Sequence, residues 1–291
     1  MDRADSAFPG RKAASWALAL LGAMAMFSLS GPAHAEVGGM DPGSGPTYAD
    51  LADLIDPADM VIKAAIRRQT PVSAERAPGL APGKTRLYVE ARVTALLAGQ
   101  TAIGESLRYL VDVPVDTRGR TPRLKGTDVI LFARAVTGRP GEIQLVGPDA
   151  QMLASDRLEQ RLRPMLADFF APDAPAPLIR IRDVSWVPGN LAGESEMQMF
   201  VTTTGEGPAL VSVIRRPGQA PAWGVSWSEL ADQQLQPPPR GSLVWYRLAC
   251  FLPERLPADS HLSTDPVARD RAGQDYRFVL RSLGDCPRTQ R

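Results

Sequence analysis

The sequence predicts an α+β, strand-rich protein: a small antiparallel barrel closed by a helix, then a β-meander backed by C-terminal helices. Three observations carry that expectation. Between Thr85 and Leu97, the residues Leu87, Val89, Ala91 and Val93 alternate with Tyr88, Glu90, Arg92 and Thr94, the period of two of a half-buried strand. Leu158, Leu162, Met165, Leu166 and Phe169 recur instead at the spacing of one helix face, while Arg157, Gln160, Arg161 and Arg163 fall elsewhere. Residues 171–177 read APDAPAP, and prolines this dense join neither helix nor sheet. That stretch is expected to be a stiff linker between a first domain, 46–170, and a second, 178–291.

The elements follow in order. Thr47 caps a short helix carrying Leu51, Leu54 and Ile55. Met60 to Ile66 is a β-branched apolar run, followed by a Pro/Gly/Ala loop and the alternating strand. Further strands are expected at Leu107 to Val113, Asp128 to Val136 and Glu142 to Val146, each bounded by turn residues. Five short strands at this spacing suggest a closed or nearly closed barrel, which removes exposed edges. Ser155 or Asp156 with Glu159 offers a capping box for the closing helix. After the linker, strands are expected at Leu178 to Val187, Glu194 to Thr204, Ala209 to Arg216 and Ala222 to Trp227. The stretches 205–208 (GEGP) and 217–221 (PGQAP) turn the last three into a meander. Ser242 caps a helix from Leu243 to Leu252 that Pro253 ends, and Asp265-Pro266 opens another that Gly284 stops after Leu283.

Residues 1–35 read as an export signal. Arg11 and Lys12 precede the uncharged run Ala13 to Ser30, and Ala33-His34-Ala35 has the small-x-small form that signal peptidase accepts. The run is shorter than the about 20 residues a spanning helix wants, and Gly31-Pro32 breaks it, so cleavage before Glu36 is expected over an uncleaved anchor. The first cysteine is Cys250, which excludes lipid attachment at the cleavage point. The expected location is the periplasm or the exterior, with no membrane span after cleavage. Removing Arg3, Arg11 and Lys12 with Asp2 and Asp5 from 33 basic and 32 acidic residues leaves the two counts equal. A neutral chain argues against a nucleic-acid partner. Cys250 and Cys286, an even pair in an exported chain, are expected to form a disulfide stapling the last two helices.

Two resemblances add to this reading. A strand after PAD (57–59), a long second strand ending in LLAG (96–99) and then LKGTDVILFAR (124–134) together resemble secreted netrin-like or inhibitor-type OB barrels over about 100 residues. The first domain is therefore expected to be OB-like. It lacks the cysteines those domains carry near the start of the barrel, so no inhibitory activity is carried over. The stretches GNLAGESEMQMFV (189–201), VIRRPGQAPAWGVSW (213–227) and LVWYRLACFLPERLP (243–257) resemble an uncharacterised group of exported alphaproteobacterial proteins, and that likeness implies no activity.

No stretch carries a catalytic, metal or cofactor motif, and no cofactor is expected. His261 lies among Asp259, Ser260, Ser263 and Asp265, but a triad must converge from separate elements and there is no G-x-S-x-G elbow. Glu194 and Glu196 share one strand face, and Asp112 and Asp116 flank Pro114; an exposed strand face explains both pairs. Trp245, Tyr246, Leu248 and Phe251 read as core. The candidate binding residues are Arg215 and Arg216 at a turn, with Trp223 and Trp227 nearby for stacking. The expected role is a binding or structural one, with another envelope protein as partner. The alternative is a cell-envelope hydrolase using Glu194 and Glu196 as its carboxylate pair.

Overall fold

The computed structural model describes residues 45–227 and 235–289. Residues 1–35, expected to be an export signal, lie outside them. The order of elements is α1 (Tyr48–Ile55), β1 (Met60–Pro71), β2 (Lys84–Gly99), β3 (Ser106–Pro114), β4 (Asp128–Ala135), β5 (Ile143–Leu145), β6 (Gln151–Leu153), α2 (Asp156–Phe169), β7 (Leu178–Pro188), β8 (Ser195–Thr203), β9 (Ala209–Arg215), β10 (Ala222–Ser226), α3 (Leu243–Ala249) and α4 (Pro266–Leu283). The protein is α+β and strand-rich, with two antiparallel sheets and C-terminal helices. The first sheet runs β3-β2-β1-β4-β5 with β6 on β4, and the second runs β10-β9-β8-β7.

Burial on both faces explains the apolar runs at the centre of the first sheet. Met60, Ile62, Ala64 and Ile66 of β1 join Val129, Leu131 and Ala133 of β4 in one cluster, while Val61, Ile130 and Phe132 belong to a second. Strands covered on both sides need no alternation, so they read as MVIKAAI and VILFA. By contrast, β2 and β3 bury only Leu87, Val89 and Ala91, and Leu107, Tyr109, Val111 and Val113. Their opposite faces carry the polar half of each alternation.

Three register shifts, between Val61 and Ile62, Lys63 and Ala64, and Ile66 and Arg68, interrupt the β1–β2 ladder. Bulges of this kind bend a strand and strengthen its twist. The edges β3 and β5 consequently approach each other: Arg108 and Glu142 form a parallel bridge, and the Arg108 N–H donates to the Gly141 carbonyl at 2.8 Å. Gly141 suits this contact, because its φ is 77° and a Cβ there would stand 3.3 Å from the Ser106 carbonyl oxygen. Apart from that single bridge the sheet is open between its edges.

Several boundaries differ from expectation. β1 runs five residues past Ile66, because 68–71 continue the ladder beyond a register shift with side chains largely in solvent. β5 is three residues long, and the unexpected β6 pairs with β4 through residues 151–153. Ser155 alone caps α2, accepting from the Leu158 N–H at 3.2 Å, while Glu159 ion-pairs with Lys63 of β1. The capping box belongs instead to α1, where Thr47 and Asp50 cap each other's backbone N–H.

The second sheet buries Met197, Met199 and Val201 of β8 and Ala209, Val211 and Val213 of β9. Ala272, Tyr276, Val279 and Leu283 of α4 join the same cluster and, with the buried Ala268, form one helix face. The same cluster contains Leu51 and Ile55 of α1 and Leu158, Leu162 and Leu166 of α2, so apolar packing is continuous from the first sheet to the second. The proline-rich segment 171–177 has no helix or strand and lies along this core. Its Pro175, Ala176 and Pro177 carbonyls accept from Arg247 Nε, Trp227 Nε1 and the Thr204 N–H.

Cys250, at the end of α3, and Cys286, just past α4, form the expected disulfide with Cα atoms 5.2 Å apart. Beyond it the C-terminal residues return to α1. Arg288 pairs with Asp53 at 2.6 Å, and the Thr289 N–H and hydroxyl donate to the Asp50 carboxylate. Closing the 36-residue separation is expected to contribute about 3–4 kcal/mol in the chain-entropy description. The Cys286→Ser protein should therefore show a lower urea midpoint and a steeper dependence on urea, because the unfolded chain expands without the cross-link. A midpoint equal to that of the oxidised native chain would contradict a structural bridge.

Candidate functional site

The outer face of β2 and β3 floors a groove of about 1100 Å³. Cross-strand register sets its chemistry: Arg86 faces Asp112, Tyr88 faces Leu110, and Glu90 faces Arg108. An apolar rung is thus flanked on both sides by charged rungs. Leu110 is 50 % exposed, on the face where β3 otherwise places Ser106, Arg108, Asp112 and Pro114. One wall is the segment 70–76 with Arg76, and the other comes from the β4–β5 connection with Arg139 and from residues 144–148.

The cations of this groove fall into two groups. Arg86 is fixed: its Nε and Nη2 donate to the two Asp112 oxygens at 2.7 and 2.8 Å, and its Nη1 donates to the Pro78 carbonyl at 3.2 Å. That bond holds the Asp112 carboxyl below its ordinary pKa. Arg108 and Arg139 are held more loosely, sharing the single Glu142 carboxylate at 3.8 and 3.4 Å. Arg76 has no carboxylate partner among the described residues. The lining contains four arginines against Asp112 and Glu142, so the groove is net cationic on a nearly neutral chain. Beneath its floor, the Tyr109 hydroxyl donates to Gln151 at 2.7 Å, and burial raises its pKa.

The residues singled out from sequence lie elsewhere and do not form one surface. Trp223 is 1 % exposed and donates from its indole N–H to Ser282 of α4 at 2.9 Å, so its ring stacks on no ligand. Arg215 is turned toward α4, where Nε and Nη2 meet Asp275 Oδ1 at 2.6 Å. Trp227 is half-buried and bonded to Ala176, leaving Arg216 exposed at the turn. Trp245 and Tyr246 lie in the core as expected, and Phe251 packs edge-on against Tyr246 while remaining partly exposed.

The carboxylate pairs are separately engaged. Glu194 accepts from the Asn190 and Leu191 N–H groups in the β7–β8 turn, crossing Gly189 so closely that a Cβ there would stand 2.3 Å from Glu194 Cγ. Glu196 accepts from Gln198 at 2.7 Å. Asp116 holds the turn that follows β3, accepting from the Arg118 and Arg120 N–H groups, and those bonds lower its pKa. His261 forms a parallel bridge with Val184 at the edge of β7; desolvation, then the charge of Arg269, lowers its pKa. No group of three or more metal-ligating side chains occurs among the described residues, and no helix there is long and apolar enough to cross a membrane.

Sequence reasoning passed over the β2–β3 groove, although one signal pointed to it. Leu110 is the out-of-phase apolar residue of an otherwise regular alternation, and the register sets it opposite Tyr88 between two charged rungs. No protein-family model matches the chain, and no curated protein matches it. The geometry therefore carries the functional argument unaided.

Asp275 provides a pH-dependent check on the placement of Arg215. It is 1 % exposed, and burial raises its pKa above 3.8 despite the opposing influence of Arg215 and Trp186. A carboxyl whose pKa is higher folded than unfolded binds more protons in the native state, so its contribution to stability falls as pH rises from 3.8 through the folded value. Urea midpoints of the native chain and of Asp275→Asn, measured across that window, should differ by an amount that shifts against the native chain with rising pH. A constant difference, or one moving the other way, would contradict this burial.

Proposed function

We propose that this chain is an exported binding protein of the bacterial envelope, without catalytic activity, whose ligand seat is the β2–β3 groove. One observation carries the reading: the Tyr88–Leu110 rung leaves apolar surface in solvent inside a frame of arginines. Tyrosine and arginine are the residue types over-represented at the energetic centres of binding surfaces. Export is supported by the residues preceding Glu36 and is consistent with the Cys250–Cys286 disulfide.

We also propose that the first sheet is an OB-like barrel. The strand order β3-β2-β1-β4-β5 with a parallel contact between β3 and β5 supports it, and so does the interior cluster built on Met60, Leu87, Leu107, Val129 and Ile143. The hydrolase alternative lacks comparable support, since Glu194 and Glu196 each have a separate hydrogen-bonding role.

The test places a photo-crosslinking residue at position 110, and in a control at exposed position 267 of α4, in the full chain expressed with its own leader in a bacterial envelope. Irradiation should give one discrete adduct from position 110 that the control lacks and that Arg76→Glu weakens. Intact mass of the exported product should begin at Glu36. Equal labelling from both positions would remove the groove from the account, and retention of residues 13–30 would overturn the soluble exported assignment.

A further inference from the structure

Resting on the groove as the ligand seat, the geometry points to an occupant of one kind: an extended acidic stretch of polypeptide with one apolar side chain between two carboxylates. Spacing is the first argument. Along the floor, Arg86–Asp112, Tyr88–Leu110 and Glu90–Arg108 follow one another at two-residue intervals, about 7 Å apart in extended chain. A peptide laid along the strands presents every second side chain to the floor at that same interval. Its central apolar group meets Tyr88 and Leu110, and the side chains two positions away reach the two charged rungs.

Charge decides what those outer side chains are. Arg86 is already neutralised by Asp112, and Glu90, which faces Arg108 across the strands, is also met by Arg68 at 4.0 Å, so the available cations are Arg108 and Arg139, which share Glu142, together with Arg76 on the opposite wall. Excess positive charge at both sides of an apolar rung selects carboxylates and disfavours lysine or arginine by like-charge repulsion. The arginines also suit carboxylates geometrically, offering paired N–H donors.

The same residues argue against a nucleic acid. Single strands are held by a succession of aromatic faces on a continuous cationic track, whereas this groove has one outward ring, Tyr88, and two carboxylates in its lining. A chain with 33 basic and 32 acidic residues supplies no wider field to gather phosphates.

The experiment is fluorescence anisotropy with the disulfide-intact chain and a fluorescein-labelled nonapeptide having leucine at its centre, glutamates two residues to each side and serines elsewhere. Parallel probes replace the leucine by serine, replace the glutamates by lysines, or are an oligodeoxythymidylate or a peptidoglycan fragment. Hydrogen exchange of β2 and β3 locates each bound probe. The leucine–glutamate peptide should bind, weaken with added salt and protect residues 84–92 and 106–114. Serine in place of its leucine, or Leu110→Ser in the protein, should each weaken it about tenfold, and Arg76→Glu with Arg139→Glu should do so while flattening the salt dependence. These exposed substitutions are first checked for an unchanged unfolding midpoint. Equal binding of the lysine peptide, or protection of the groove by the oligonucleotide or glycan alone, would overturn the acidic-peptide assignment while leaving the groove as the seat. No protection by any probe, with no adduct from position 110, would overturn both.

Discussion

The Arg247 guanidinium is the point at which the separate parts of this fold meet. It is 3 % exposed, yet each of its three nitrogens donates to an acceptor from another element. Nη1 and Nη2 meet the two Asp56 oxygens at the end of α1, both at 2.6 Å, and Nε reaches the Pro175 carbonyl at 3.0 Å. Its planar face lies 5.5 Å from the Phe169 ring of α2 and 5.7 Å from Tyr246. A buried cation is tolerated only when paired and fully hydrogen-bonded, so each of those partners must be in place together. One α3 side chain thereby sets the positions of α1, α2 and the proline-rich segment.

Around it the chain's two described ends are joined. Tyr246 donates to Asp53 at 2.7 Å, and Asp53 also receives Arg288, while Asp50 receives Thr289. The disulfide fixes the start of that C-terminal return, and Trp245 donates to the Leu283 carbonyl at 2.9 Å. This polar lattice lies on the side of the first sheet where Val61, Ile130 and Phe132 are buried. The groove belongs to other strands of the same sheet, backed by the separate cluster of Leu87, Leu107 and Tyr109. The polar lattice and the groove proposed as a ligand seat thus occupy different surfaces of the first sheet.

Local periodicity made much of the fold legible. The alternation in β2 and β3, the apolar face of α2, the caps Thr47, Ser242 and Asp265, and the pairing of the only two cysteines are properties of short stretches or of simple counting. What escaped was set by contacts between distant stretches. β6 is three residues with no period of its own, called into being by β4. Arg215 and Trp223 flank a proline-glycine turn and look like surface, but α4 covers them. Arg247 is the lone charge in LVWYRLA, and only Asp56, 191 residues away, explains it. The groove was half legible: Leu110 broke the pattern of its strand, but the arginines around it assemble only once β2, β3 and the β4–β5 connection come together.

The claim that both sheets belong to one cooperative structure joined through Arg247 is tested most directly by native-state hydrogen exchange on the full chain and on Arg247→Ala. Removing one partner of such a pair costs about 3–5 kcal/mol. The account predicts that the opening free energies of β4 in the first sheet and β8 in the second fall together by the same amount. A loss confined to β8 and β9, with β4 exchanging as in the native chain, would contradict it.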